Sequence, residues 1–406
     1  MGKGRNRTYL SVVFAIVIAI VFSCFPHARY SVSANKTAGD SLVLHYIDVG
    51  QGDSTFIELP NGKTILIDAG ELEYGERVVK YIKKLGYTKI DCLIATHSDS
   101  DHVGGLSAVL DAFEVNFILR PFVVAGVFND TNDDLSALGL PIGGVLYDNN
   151  EAYVEFINKA YKETCNGDKS IIKTLSNKTI IETFFATSEP YFMIEVLYPF
   201  AIEGTNFVTP SGLTTGYMLK FSEDSNAISS VISLTSEKHK VLLMSDASEE
   251  IENSIIELAN SDELIKERLA NLDVLKISHH GSGTATTADF LKLTNPRYAV
   301  ISVGEDNSYG HPSEDVLQRL SDAGVENIYR TDKHGNIAIE LCVNGDIKTN
   351  AKERTEFSIP DWVLYVFFSV IIVAVVVITI VYSVIKKRKN DEDFIKKNSK
   401  SDKNQS

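Results

Sequence analysis

A chain of 406 residues with 54 Asp and Glu against 39 Lys and Arg has a formal net charge of −15, and 44% hydrophobic residues are enough to build one large domain or two. Four cysteines in that length exclude a disulfide-dense scaffold, and the acidic balance excludes attraction of nucleic acid by a general positive field. The imbalance is concentrated in residues 35–360, which hold 27 Lys and Arg against 49 Asp and Glu, a net of −22, while both ends of the chain are basic.

The first element is an apolar run from Tyr9 to Phe25 preceded by Lys3, Arg5 and Arg7. This is the layout of a secretory signal, and Val32-Ser33-Ala34 offers a cleavage site. An uncleaved signal anchor fits the same residues, so 1–34 is read as signal peptide or signal anchor. A domain follows over 40–345. Residues 42–49 alternate as a strand and break at Gly50-Gln51-Gly52-Asp53. Strands are expected over 54–59 and 64–68 around a Pro60-Asn61-Gly62 turn, then a helix over 76–85, a strand over 90–95 and a helix over 105–113. Residues 121–225 are rich in insertions, with polar loops around Asn129 to Asp134 and Asp148 to Asn150, a helix over 151–163 and strands over 179–185 and 191–198. No residue there points to chemistry, and the region is read as shaping access to a site.

Strands over 228–234 and 240–244 then pair around Glu237-Lys238, followed by helices over 249–258 and 262–270. A strand over 274–277, a helix over 287–293, a strand over 298–303, a helix over 314–322 and strands over 327–329 and 336–341 complete the pattern. Two successions of strands followed by helix–strand pairs predict an α/β sandwich, sheet on sheet with helices outside. Residues 346–361 form a linker. Trp362 to Ile385 carries no charge and is long enough to cross a hydrocarbon core of ~30 Å. Lys386-Lys387-Arg388-Lys389 opens a basic tail over 386–406 that marks the cytoplasmic side, so the acidic domain faces outward. Its cysteines, Cys92, Cys165 and Cys342, are odd in number, and two of them sit in apolar strand patterns, which argues for core residues rather than disulfides.

Chemistry gathers at strand ends. His97-Ser98-Asp99-Ser100-Asp101-His102 places two imidazoles and two carboxylates in six residues, after a buried strand and before Gly104-Gly105. His and Asp are the usual ligands of Zn²⁺ and similar ions, and α/β folds place their sites at the C-terminal ends of strands. Asp68 ends one strand and Asp246 another, His279-His280 follow a third, and His311 lies in a Tyr309-Gly310-His311-Pro312 loop. Converging, these ends build a binuclear site, with His97 and Asp99 holding one ion, Asp101 and His102 the second, and Asp246 bridging. Water between two cations ionises near neutral pH and becomes the nucleophile. Proximity to the strand end favours His279 as the second-site ligand, with His280 beside it or facing substrate, and His311 is an alternative donor.

These residues resemble the metallo-β-lactamase fold, in particular the extracellular domain of the ComEC-type competence proteins. The matching segments are Asp48-Val49-Gly50-Gln51-Gly52-Asp53-Ser54, Ile67-Asp68-Ala69-Gly70, Thr96 to Gly105, Leu242 to Ala247, His279-His280-Gly281-Ser282 and Tyr309 to Ser313. The resemblance implies a four-layer αβ/βα sandwich, two divalent ions and hydrolysis, with Asp48 and Asp53 in supporting positions. Asp99 stands where the fold commonly has a second histidine, which admits Mn²⁺ as a rival to Zn²⁺. The third-motif histidine is absent and Asn226 occupies the comparable place, while Ser245 replaces the glycine usual before the bridging Asp. The implied activity is that of an outward-facing phosphodiesterase or nuclease. A small ester, lactone or phosphocholine-type substrate is the alternative, and a non-catalytic sensor that keeps the fold is a third reading. The transmembrane channel of full competence proteins has no counterpart in these residues, and the oligomeric state stays open.

Overall fold

The computed structural model describes residues 41–121, 123–125, 146–148, 150–165, 171–174, 192–198, 225–352 and 377–390. Residues 1–352 and 353–406 form two separate units. The first unit contains β1 Ser41–Tyr46, β2 Thr55–Glu58, β3 Thr64–Ile67, β4 Lys89–Ile94, β5 Glu114–Arg120, β6 Val123–Ala125, β7 Leu146–Asp148 and β8 Ile171–Thr174. It continues with β9 Met193–Tyr198, β10 Val231–Thr235, β11 Lys240–Leu243, β12 Val274–Lys276, β13 Tyr298–Ile301, β14 Asn327–Arg330, β15 Ile337–Cys342 and β16 Ile347–Thr349.

Two sheets follow from the pairing. The first runs β16-β15-β1-β2-β3-β4-β5-β8 and the second β14-β13-β12-β11-β10-β9, with β6 and β7 forming a small ribbon. Each sheet is antiparallel on one side and parallel on the other. β3, β4, β5 and β8 are parallel in the first, as are β11 to β14 in the second. Parallel neighbours need crossover connections, and helices supply them on the outer faces.

The side chains explain the layering. Along β3, β4 and β11, alternate residues point to opposite faces, so Ile65, Cys92 and Val241 enter one buried cluster and Leu66, Leu93 and Leu242 enter others. The first cluster lies between the two sheets. The second packs helices Gly75–Lys84, Leu106–Ala112 and Glu151–Cys165 on the first sheet through Val78, Ile82, Leu106, Val109 and Phe156. The third packs Glu249–Ser261, Glu263–Leu269, Ala288–Thr294 and Glu314–Asp322 on the second through Ile251, Ile255, Phe290 and Leu320. Each fully buried Leu, Ile or Phe contributes roughly 1.5–3 kcal/mol, so the three clusters dominate the stability of the unit.

Most expected elements recur within a few residues of their sequence-read ends. The sequence pattern does not mark β5, because Glu114, Asn116 and Arg120 interrupt its apolar residues. Arg120 is nonetheless fully buried, its guanidinium 5.8 Å from the Tyr153 ring centre. The segment 1–34, the strand over 179–185 and most of 121–225 lie outside the described residues. So does most of 362–385. Residues 377–390 are helical, and among the described residues no helix is long and apolar enough to cross a membrane.

Candidate metal centre

Four parallel strands, two from each sheet, end at one edge of the sandwich. β3 delivers Asp68, β4 delivers Thr96 and His97, β11 delivers Ser245 and Asp246, and β12 delivers His279 and His280. Three backbone stretches are stitched together beside them. Asp53 N–H donates to Asp101 O at 3.1 Å, Gly70 N–H to Asp53 O at 2.9 Å, and Ala69 N–H to His102 O at 2.8 Å. Gly52 (φ +132°) makes this approach feasible, since a Cβ there would stand 2.3 Å from Asp101 O.

Asp101, His102, Asp246 and His280 form one group whose ligand atoms lie within 4.8 Å of one another. His280 Nε2 is 3.2 Å from Asp101 Oδ2 and 3.4 Å from Asp246 Oδ2, and His102 Nε2 is 3.2 Å from Asp246 Oδ1. His97 is fully buried with Nε2 3.6 Å from Asp99 Oδ2, and His279 Nε2 lies 3.6 Å from Asp246 Oδ2. The His311 ring stands 5.9 Å from that of His279 and stacks on Tyr309 at 5.8 Å.

In three histidines the two ring nitrogens have different surroundings. His97 Nδ1 meets Thr96 Oγ1 at 3.1 Å, His102 Nδ1 meets Asp68 Oδ2 at 2.8 Å, and His280 Nδ1 donates to Ser302 O at 2.9 Å. Their Nε2 atoms, together with Asp246 Oδ1, are buried and have no hydrogen-bond partner among the described residues. Imidazoles fixed through one nitrogen, with the other aimed among carboxylates, make the donor set a divalent cation takes. The residues present therefore fit a metal.

Titration behaviour agrees. Burial opposes charge on His280, yet Asp246, Asp101 and Asp53 outweigh it and raise its pKa to about 10. His102 is raised well above the usual imidazole range in the same way, against burial, by Asp246, Asp68 and Asp101. Asp246 and Asp101 are lowered despite burial because these imidazoles face them. His279 is lowered by burial and by the nearby His280, His97 and Lys276, although Asp246 opposes this. Protons on two histidines thus balance the carboxylates, and a metal ion would displace them.

Backbone geometry divides the two adjacent histidines differently from strand-end reasoning. His279 and His280 both adopt left-handed φ (+47° and +53°), so the chain turns immediately after β12. His280 is carried inward and buried to 2% side-chain exposure, whereas His279 stays 29% exposed. The four-residue group accordingly includes His280 and not His279.

The other sequence-read residues sit around this group. Asp68 accepts from Thr96 N–H and Thr96 Oγ1–H at 2.9 and 2.7 Å while holding His102. Asp53 is buried, with Oδ1 3.6 Å from His280 Nδ1. Asp48 braces the glycine loop through Gly50 N–H and lies 3.7 Å from Arg77, outside the donor groups. Asn226 lies on a short 3₁₀ turn, Ser225–Ile228, also outside them.

Residues without a sequence-read role complete the support. Ser245 takes φ +48°, a conformation that favours glycine, and its Oγ–H donates to Thr96 Oγ1 at 2.7 Å. Thr96 O in turn accepts from Ser230 N–H and Oγ–H, which ties the first sheet to the second. Lys276, a lone charge in the apolar β12, is buried beneath the centre.

Residues 47–127 match the profile of the metallo-beta-lactamase superfamily. The chain is 26% identical over 350 residues to ComE operon protein 3 of Bacillus subtilis, covering 82% of this chain and 36% of that protein. It is 27% identical over 329 residues to Recombination protein 2 of Haemophilus influenzae, covering 77% and 30%. The chain therefore spans about a third of the length of these relatives. Among solved structures, the metallo-beta-lactamase fold protein YhfI of Bacillus subtilis aligns with a TM-score of 0.38 at 11% identity, over 74% of this chain and 99% of that one.

Proposed function

We propose, on the premise that the chain carries a hydrolase domain of the metallo-beta-lactamase superfamily similar to ComEC-type competence proteins, that it hydrolyses phosphodiesters. The observation that carries this is the group Asp101, His102, Asp246 and His280, all but Asp101 buried, in which both imidazole Nε2 atoms face carboxylates and have no hydrogen-bond partner among the described residues. Asp101, His102, Asp246 and His280 would hold one divalent ion, and His97 and Asp99, with His279 alongside, a second that shares Asp246. Zn²⁺ suits the imidazoles, and the added carboxylate of Asp99 admits Mn²⁺. Such ions supply Lewis acidity that makes water nucleophilic near neutral pH and offsets charge on the reacting group.

The residues of the chain itself do the rest. Asp68, Thr96 and Ser302 fix the orientations of His102, His97 and His280. Asp101, partly open at 24% side-chain exposure, is placed to accept a hydrogen bond from the attacking water at its carboxylate and so orient it. His279 and His311, both less buried, line the mouth and meet the substrate. A phosphodiester supports this reading because its anionic oxygens match hard, carboxylate-rich cation sites. The net charge of −22 over 35–360 favours short or single-stranded substrates over long duplexes. Residues 362–385, followed by Lys386 to Lys389, would anchor the domain to a membrane with the site facing outward.

The test is to measure metal content of the purified full-length chain and cleavage of single-stranded DNA, duplex DNA and a small phosphodiester with Mn²⁺ or Zn²⁺. Two metal equivalents with phosphodiester turnover is the expected result. Metal without turnover on any of the three redirects the reading to small esters or lactones, and no bound metal leaves a non-catalytic module.

A further inference from the structure

A lysine in a sandwich interior needs a reason. On β12, Val274 belongs to the cluster between the sheets and Leu275 to the outer helical cluster, so Lys276 shares the inward face with Val274. Its side chain is 2% exposed. The ammonium donates to Asp53 Oδ2 and, at 3.3 Å, to Ser245 O, the carbonyl that also accepts His279 N–H at 2.9 Å. Asp53 in turn places Oδ1 3.6 Å from His280 Nδ1.

A second donor group lies on this inner side. Asp53, Asp68 and His102 bring ligand atoms within 4.8 Å of one another, and His102 is common to this group and to the outward one. A cavity lined by Asp53, Asp68, Thr96, Ser245 and Lys276 runs between the sheets beneath the centre. Four buried or near-buried carboxylates, Asp53, Asp68, Asp101 and Asp246, therefore share one region, and one ammonium is fixed on its inner flank.

We propose that Lys276 is a built-in counter-cation of the metal centre. Its ammonium engages Asp53 of the inner donor group and thereby confines divalent ions to the outward group of Asp101, His102, Asp246 and His280. Lys276 is a positioning residue, acting through Asp53 and through the charge it contributes. The inference rests on the reading of the outward group as a metal site.

The sign of the charge effect separates this role from packing. Removing the ammonium leaves an unopposed carboxylate beside the ions and strengthens their binding. Removing Asp53 leaves an unopposed ammonium and weakens it. A packing role predicts that both changes loosen the site and weaken binding.

The experiment is a Mn²⁺ and Zn²⁺ titration of the purified full-length chain against a competing chelator, for wild type, Lys276→Met, Asp53→Asn and the double variant. Lys276→Met is expected to tighten metal binding by about tenfold or more, and Asp53→Asn to weaken it by about tenfold or more. The double variant should return to within about threefold of wild type, because the local charge is then unchanged. Weaker binding in both single variants overturns the proposal. Where Lys276→Met does not fold, Asp53→Asn and the double variant decide: restoration in the double supports the role, and equal weakening removes it. A wild-type chain that binds no divalent metal removes the metal-centre reading itself, whereas opposite outcomes among the variants bear on Lys276 alone.

Discussion

His102 Nδ1 lies 2.8 Å from Asp68 Oδ2 while its Nε2 faces Asp246 Oδ1 at 3.2 Å, so a single imidazole joins the carboxylate that orients it to one in its own donor group. Asp68 also accepts two hydrogen bonds from Thr96, which locks its own position. Replacing Asp68 with Ala should therefore lower metal affinity by about 10- to 100-fold, the usual cost of removing a carboxylate behind a metal-binding histidine. Chelator competition measures this directly. Unchanged affinity would show that Asp68 does not orient His102 for metal.

Asp101 is the carboxylate of the group most open to solvent, and its backbone rather than its side chain holds the glycine loop. Asp101→Asn keeps the size and the backbone contacts while removing the charge. Turnover should fall to background with the melting temperature within a few degrees of wild type, about 1 kcal/mol or less. Retained turnover would remove Asp101 from the reacting set.

Gly52 is predicted to be intolerant of even one methyl group. A Cβ would stand 2.3 Å from Asp101 O, and φ +132° is strained for any other residue. Gly52→Ala should cost about 1–3 kcal/mol of stability and displace Asp101, with at least about a tenfold loss of turnover. Thermal denaturation and steady-state kinetics on the same sample check both parts. A stable, fully active Gly52→Ala chain would mean that the loop has room to move away.

Stability should depend on pH with a definite sign. The folded pKa of His280 is about 10 and that of His102 is also raised, against an unfolded value of about 6.5. A raised folded pKa gives stability that is fully present below about pH 6.5 and is lost as pH climbs through about 10. The metal-free chain should thus melt at progressively lower temperature as pH rises across that window. Divalent metal displaces the same protons, so the loaded chain should show a flatter profile and release protons on binding near pH 7.5. Melting curves with and without chelator, and calorimetry in buffers of different ionisation enthalpy, test the two parts. A metal-free melting temperature that stays constant over the window would contradict the proton-held arrangement.

How much of this was readable from residues alone depended on distance along the chain. Strands such as 64–67 and 240–243 announced themselves because apolar residues ran uninterrupted to a chemically loaded end. That Asp68, His97, Asp246 and the His279-His280 pair lie at one edge follows from the rule that sites form at the carboxyl ends of parallel strands. The division between His279 and His280 was hidden, since it depends on two consecutive left-handed residues that no local pattern signals. β5 was hidden because Asn116 and a buried Arg120 broke its periodicity. Lys276 did leave a trace, a charge inside Val274-Leu275-Lys276-Ile277, but its partner Asp53 is 223 positions away and only the packing of the two sheets brings them together.

The pairing of β1 with β15 bears on how the chain reaches its native state. Ser41 aligns with Cys342, and Ser41 Oγ–H donates to Glu340 across 299 positions of sequence. β1 therefore waits for β15, synthesised almost 300 positions later, before gaining one of its two neighbours. Such long-range closure slows folding and exposes an unpaired edge meanwhile. Truncation before Ile337 should leave β1 as a sticky edge, and the nascent domain would be most prone to aggregate just before its synthesis ends.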